Sequence, residues 1–432
     1  MSQTIAGHVR RTLSSRVFRE VAITYTGQLF GSGIGFLIAV LLQRKLGSAD
    51  YGLLGLAGSV GMLTVVLTDL GIGHAMVRYG SKYLAEGRVD LAMPRFAAAF
   101  RMQMGLSCVV ALVGFASASL VAEHLFHKPD LRWPLAFQFL GVIASTAYAF
   151  WVYYIQSWQR FKLRSLVQVC LAVVKLLAFG VLWMLGVLSP SAAILLDLGA
   201  SALGFTAGML ISPRGLLSVP RAEWIHAART DILPFCRFTG VLIVGDVLFN
   251  ELDTFLLGVY CDESVVGVYR CAWTYAMVLG FLNNSVSSVL FPKITGITSP
   301  QELRSFLRSA LKLTSLLAVA TLPAVPFLSW WIPWYSPDFA GAVPVFYAMY
   351  VGLVFEMVVG PLNYAMYTLN RPQFLVANAG LKITLNAATA LLLIPRFGAV
   401  GAATATVGTR IVGGFVLLWF LRRVLRERAS GV

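Results

Sequence analysis

Residues 41–57, LLQRKLGSADYGLLGLA, line up with residues 256–272, LLGVYCDESVVGVYRCA, at an offset of 215. Leu41 meets Leu256, Leu42 meets Leu257, Gly52 meets Gly267 and Ala57 meets Ala272. The same register continues to Arg78 and Lys293. A second register, offset 211, pairs Gln159-Arg160 with Asn370-Arg371 and Ser191-Ala192 with Ala402-Ala403. Two related halves made of apolar segments are the sequence mark of a secondary transporter, with a substrate site between the halves.

The composition fits that class. Of 432 residues, 58% are hydrophobic and 12% charged, and the mean hydropathy is +0.77. A soluble domain carries about 25% charged residues. Twelve apolar stretches, from 21–43 and 51–73 to 374–394 and 399–421, approach the ~20 residues that a membrane span needs. The ~10-residue alternating runs of a membrane β-barrel are absent. The expected fold is therefore all-α and integral to the membrane, with twelve transmembrane helices in two six-helix lobes, 1–215 and 216–432. Six spans per lobe give both halves the same orientation, which is a parallel repeat. The polar stretch 212–231, SPRGLLSVPRAEWIHAARTD, reads as the linker between lobes. Segments 80–96 and 294–312 read as amphipathic stretches at the membrane surface.

A net charge of +15 would suggest nucleic acid in a soluble protein. Here the bases follow topology. With the N-terminus inside, 23 of them fall on cytoplasmic segments and 5 (Arg44, Lys45, Lys128, Arg132, Arg396) on the opposite side. This is the positive-inside rule. It predicts a multi-pass protein of the cytoplasmic (inner) membrane with both termini cytoplasmic, and it argues against a nucleic-acid partner. The first 20 residues, MSQTIAGHVRRTLSSRVFRE, lack the apolar core of a cleavable signal and read as a basic lead-in.

Charges inside spans cost about 2.5–3.5 kcal/mol each at the bilayer centre. Six bases sit in the candidate spans: Arg101, Lys175, Arg237, Arg270, Lys382 and Arg410. Arg101, Arg237 and Arg410 lie close enough to cytoplasmic ends to reach the surface. Lys175, Arg270 and Lys382 lie nearer mid-span and are the candidate substrate-binding residues, expected to line one central cavity. Their charge suits an anionic head group such as a phosphate or diphosphate.

Polar residues also recur at helical spacing. Asp246, Asn250 and Asp253 share a helix face; so do Glu356, Gly360, Asn363 and Tyr367; so do Asn378, Lys382, Asn386 and Thr389; so do Arg270, Thr274, Met277 and Asn284. Asp69, Asp246, Asp253, Glu356, Asn378 and Asn386 are the candidates for cavity lining or ion coupling. Carboxylates in such a site can carry protons or sodium ions.

Enzyme motifs are absent. There is no Walker A sequence. The outer loops (RKLGSADYG, EHLFHKPDLRW, GVLSPS, CDES, WYSPDFAG, PRFGA) are too short for catalytic apparatus. Cys108, Cys170, Cys236, Cys261 and Cys271 lie in or beside apolar segments without metal spacing and read as small buried hydrophobes. His124 and His127, three apart in an outer loop, carry no metal expectation. No cofactor is expected, beyond coupling to a proton or sodium gradient.

The segment 46–79, LGSADYGLLGLAGSVGMLTVVLTDLGIGHAMVRY, resembles the opening of polysaccharide flippases. These are the Wzx-type O-antigen and exopolysaccharide transporters of the multidrug/oligosaccharidyl-lipid/polysaccharide (MOP) exporter superfamily. The motif residues are Gly47, Asp50-Tyr51-Gly52 and Asp69-Leu70-Gly71-Ile72-Gly73. The stretch 395–413, PRFGAVGAATATVGTRIVG, resembles the start of that family's last span. The resemblance implies two six-helix bundles working by alternating access. It implies a substrate of undecaprenyl-diphosphate-linked oligosaccharide, moved from the cytoplasmic to the periplasmic leaflet for O-antigen, capsule or exopolysaccharide synthesis. It also implies a cationic cavity, for which Lys175, Arg270 and Lys382 match by position in the spans. Polysaccharide polymerase and export machinery are the expected protein partners.

The alternatives are another transporter of the same fold (a lipid II flippase or a drug exporter) and a membrane polysaccharide polymerase or ligase. The last needs a large outer loop with catalytic Arg or His residues. Reporter fusions test the topology: after residues 230 and 432 the reporter should be cytoplasmic, and after residue 48 periplasmic. A periplasmic signal at 230 would refute it.

Overall fold

A computed structural model describes residues 16–211, 215–216, 218–294, 300–368 and 373–429. They form helices and short connections. The helices are α1 (Arg16–Asp69), α2 (Ile72–Ala85), α3 (Val89–Leu120), α4 (Arg132–Ser157), α5 (Phe161–Met184), α6 (Pro190–Ile211), α7 (Arg221–Ala227), α8 (Leu233–Tyr260), α9 (Glu263–Ile294), α10 (Pro300–Thr321), α11 (Ala324–Tyr335), α12 (Ala342–Thr368) and α13 (Gln373–Ala429). Among the described residues, eight helical stretches are long and apolar enough to cross a membrane. A ninth arises if Arg221–Arg237 and Thr239–Tyr260, bent by 46°, count as one span. The outer face of α3 presents Val109, Leu112, Val113 and Leu120 to the surroundings, as a lipid-facing helix does.

α1 and α13 contain 54 and 57 residues. A straight helix of that length would measure ~80 Å, against a hydrocarbon core of ~30 Å. Both are broken by a glycine in a conformation that L side chains avoid: Gly47 with φ +73° and Gly398 with φ +54°. Each is thus a pair of helices joined at a tight turn. Pro395, just ahead of Gly398, removes one backbone donor at that break.

The chain packs as two compact units. Of the described residues, the first takes those within 1–41, 61–121 and 132–244; the second takes those within 42–60, 122–131 and 245–432. They differ from the sequence halves 1–215 and 216–432, for physical reasons that the contacts show.

Within the second unit, a Cβ on Gly52 would run into the carbonyl of Glu263, and a Cβ on Gly267 into the carbonyl of Ser48. The backbones of α1 and α9 touch there. Glu263 and Ser48 are themselves 215 apart, the offset that also separates Gly52 from Gly267, so the two close approaches are reciprocal. Residues 122–131 join the same unit. Phe126 packs edge-on against Phe255, 5.2 Å between centroids. The Lys128 ammonium donates to the carbonyls of Phe126 (3.2 Å), Gly258 (2.8 Å) and Cys261 (2.7 Å). It thereby caps the end of α8. Burial pushes the Lys128 pKa down, and the fields of Glu263 and Asp262 oppose that shift.

Within the first unit, Phe96, Trp151, Tyr154, Ile72 and Met76 form the buried core. Residues 216–244 belong here because Arg95 of α3 donates to Asp231 at 2.6 and 2.8 Å. The Arg101 guanidinium also sits 5.3 Å from the Trp224 ring of α7. The AspLeuGly-x-Gly sequence makes the turn from α1 into α2. Leu70 (φ 44°) and Gly71 (φ 84°) are both left-handed. The Asp69 carboxylate accepts the N–H groups of Gly71 (3.2 Å) and Gly73 (2.9 Å) and the amide of Gln103 (2.6 Å). Gly240 of α8 lies so close that its Cβ would sit 2.7 Å from the Leu70 carbonyl oxygen.

The glycine crossing gives a test. Gly52→Leu and Gly267→Leu each force two backbones apart and should cost about 3 kcal/mol or more. Gly58, one turn and a half along α1, has open space where a Cβ would go. Gly58→Ala should therefore be neutral or stabilising by up to ~1 kcal/mol. Melting curves in detergent would show the crossing to be unimportant if all three variants unfold together.

Candidate functional site

The polar stripes of α8, α12 and α13 meet in the second unit. Asn378, Lys382 and Asn386 follow at four-residue spacing along α13 and share its face. A small cavity of about 30 Å³ opens among Glu356, Asn363, Asn378, Lys382, Arg410 and Gly413. That holds one or two water-sized groups. Gly413 matters to it, because a Cβ there would lie 2.7 Å from the Lys382 side chain. The Lys382 ammonium sits 5.0 Å from the centre of the Phe249 ring. Among the described residues no carboxylate lies within ion-pair distance of it. Asp246 acts on Lys382 only at longer range. Asn250 donates its side-chain amide to the Asp246 backbone carbonyl (2.8 Å), so the stripe of these two residues is partly self-bonded. The Asn378 side-chain oxygen is buried without a hydrogen-bond partner among the described residues.

Arg410 forms an ion pair with Glu356. Its sequence position suggested that it would reach the membrane surface, yet it is 8% exposed. Glu356 supplies the counter-charge that makes this burial possible. One turn before Arg410, Thr406 donates its hydroxyl to Asp253. Asp253, 2% exposed, also accepts from Tyr269 (2.7 Å) and from the Asn386 amide (3.1 Å). A carboxylate ringed by three neutral donors can hold its negative charge, take up a proton or accept a monovalent cation. Among the described residues no group of three His, Cys, Asp or Glu side chains could hold a metal ion.

Arg270 of α9 donates to Glu251 of α8 at 3.2 Å. Its aliphatic chain lies over Gly55, whose Cβ would come within 2.7 Å of it. Gly55 is the counterpart of Arg270 in the 215 register. Thr274 donates to the Arg270 carbonyl (2.9 Å) and is 3.1 Å from the Tyr51 hydroxyl, which accepts from Gln43 (3.2 Å).

In the first unit, Lys175 of α5 is ion-paired with Asp197 of α6. Both helices bound a second cavity, of about 280 Å³, that Lys175 lines. The Asp69 carboxylate is engaged by backbone amides and Gln103, which makes it a holder of the α1–α2 turn.

The structure thus brings Asp253 to Asn386, and Lys382 to Asn378 and Glu356. It places Arg270 on Glu251 and Lys175 on Asp197. Sequence reasoning passed over Glu251, Tyr269 and Thr406 as site residues. Glu251 was visible as an acid in a span; the hydroxyls of Tyr269 and Thr406 carried no signal. The side chains of Asn284 and Tyr367, and the pair Asn370-Arg371, lie outside the described residues.

Comparison with known proteins follows the same lines. The sequence profile of a family described as "Polysaccharide biosynthesis protein" matches residues 17–298. The chain is 21% identical over 419 residues to "Uncharacterized membrane protein MJ1068" of Methanocaldococcus jannaschii, covering 91% of this chain and 82% of that one. It is 25% identical over 211 residues to "Probable flippase AglR" of Haloferax volcanii, covering 46% of this chain and 44% of that one. In fold it is similar to the "Lipid II flippase MurJ, inward closed conformation", with a TM-score of 0.76 and 14% identity over 94% of this chain and 89% of that one. The fold is that of the MOP exporters.

The Arg410–Glu356 pair yields a prediction. Glu356→Gln leaves a buried guanidinium uncompensated and should destabilise by about 3–5 kcal/mol. The double change Glu356→Leu with Arg410→Met should recover most of that. Thermal unfolding of the purified variants reads both, and a double variant no better than the single would refute the assignment.

Proposed function

We propose that this chain, which belongs to the polysaccharide biosynthesis protein family and is a MOP-type flippase for glycan biosynthesis, carries undecaprenyl-diphosphate-linked oligosaccharide from the cytoplasmic to the periplasmic leaflet. The carriage works by alternating access of two six-span halves, 1–215 and 216–432. α1 and α13 count as two spans each in that scheme. Both termini are cytoplasmic, and the product leaflet is where a polymerase and export machinery of O-antigen, capsule or exopolysaccharide would take over.

The observation that supports this reading most is the Lys382 ammonium. It lies inside a membrane-spanning unit, lines a cavity, and lacks a bonded carboxylate among the described residues. A cation kept in that state is costly unless an anion visits it. A diphosphate brings at least two negative charges. Lys382 is a point charge for that group, while Arg270, Glu251-paired in this state, can offer a planar fork when the pair opens. Lys175, paired with Asp197 and so not free for the diphosphate, is the third residue proposed on the substrate's route. Asp253, with Asn386, is the proposed seat of a coupling proton or sodium ion. Glu356, Asp246 and Asn378 line the substrate path, and Asp69 holds the α1–α2 turn.

Proteoliposomes containing a fluorescent undecaprenyl-diphosphate-linked oligosaccharide test the reading. Wild-type protein should translocate it. Lys382→Ala and Arg270→Ala should each lower the rate at least about ten-fold, the worth of one charge-assisted contact. Arg270→Lys should recover part of the rate, and protein abundance should stay near normal. Wild-type rates in both Ala variants would remove these residues from the substrate path.

A further inference from the structure

We propose, resting on the flippase reading above, that the first unit's cavity is a subsite for the neutral sugar portion of the carried glycan and not for its diphosphate. The cavity of about 280 Å³ lies near the lower end of ligand-cavity sizes, so it suits one sugar ring more than a chain. Gly27, Gly31 and Gly35 line it at four-residue spacing on α1, where a ligand would meet bare backbone. A Cβ on Gly31 or Gly35 would touch nothing within 4 Å. Helix packing therefore does not require these two glycines; their effect is to leave room.

The walls carry the amides of Gln28 and Gln168 and the hydroxyls of Ser32 and Tyr148. None of these four side chains makes a hydrogen bond among the described residues. The charged lining is spent. Lys175 is bonded to Asp197, and Ser201 donates to the Asp197 carbonyl at 3.0 Å. A diphosphate would have to break the Lys175–Asp197 pair to gain a cation. A sugar needs no such exchange. Its hydroxyls both donate and accept, as the free amides and hydroxyls require, and the Tyr148 ring offers an apolar face.

The test uses the full-length protein in nanodiscs and two probes: undecaprenyl diphosphate, and undecaprenyl diphosphate bearing a disaccharide. The wild type should bind the sugar-bearing lipid about ten-fold tighter or more. Gly31→Leu fills the cavity from a position with open space around it, so folding should survive, with Gly31→Ala as its control. The Leu variant should lose the preference and keep wild-type affinity for the sugar-free lipid. Ser32→Ala, which leaves the cavity volume almost unchanged, should lower the preference about five-fold, the worth of one hydrogen bond, and Gln168→Ala, which also enlarges the cavity, should lower it at least as much. Retained preference in these variants overturns the subsite. Equal weakening of both lipids by Gly31→Leu also overturns it, because the cavity would then hold the shared diphosphate or lipid. A wild type that binds neither lipid sinks the flippase reading itself, and the subsite with it.

Discussion

Gly52 and Gly267 put two helix backbones in direct contact, and the polar contacts between α1 and α9 depend on that approach. Inside a membrane, helices associate through close packing of small residues because lipid tails offer no hydrophobic driving force. With the backbones touching, Tyr51 reaches Thr274, and Gln43 lies within reach of both Tyr51 and Cys271. Arg270 is laid across Gly55 toward Glu251. A methyl group at either glycine would collide with a carbonyl, and this whole set of side-chain meetings would separate.

The charges in the spans divide by partner. Lys175, Arg270 and Arg410 each have a carboxylate on a neighbouring helix. Lys382 has a phenyl ring and an open cavity instead. Paired charges repay part of their desolvation through Coulomb attraction at short range. A cation over an aromatic face gains far less. Among these four, the difference separates charges bonded to a neighbouring helix from one that faces a cavity.

Much of this was legible in the linear sequence. Hydropathy gave the helical membrane class, and the 215 offset led to Gly52 and Gly267. The AspLeuGly-x-Gly run marked a turn that the structure explains through Asp69, Leu70 and Gly71. Asn378, Lys382 and Asn386 lie along one face of α13, as their four-residue spacing requires. Pairing across helices was not legible, because spacing along one helix says nothing about which face of another lies opposite. Arg410 shows this: its sequence position pointed to the surface, and Glu356, 54 residues earlier, keeps it buried. The compact units show it too, since the Lys128 bonds to Gly258 and Cys261 draw 122–131 away from its sequence neighbours.

Gly55 and Arg270 occupy matching positions of the repeat, and they share one volume. The glycine is the hollow into which the arginine's chain fits. A two-fold arrangement with arginine at both positions would bring like charges and two long side chains into the same space; glycine at both would leave a void and no charge. The frame is symmetric and its contents are not. The two positions are therefore coupled by simple sterics: whichever carries the large cation, the other must give up its side chain. The place of the Arg270 guanidinium is then a property of the two positions together, set by neither alone.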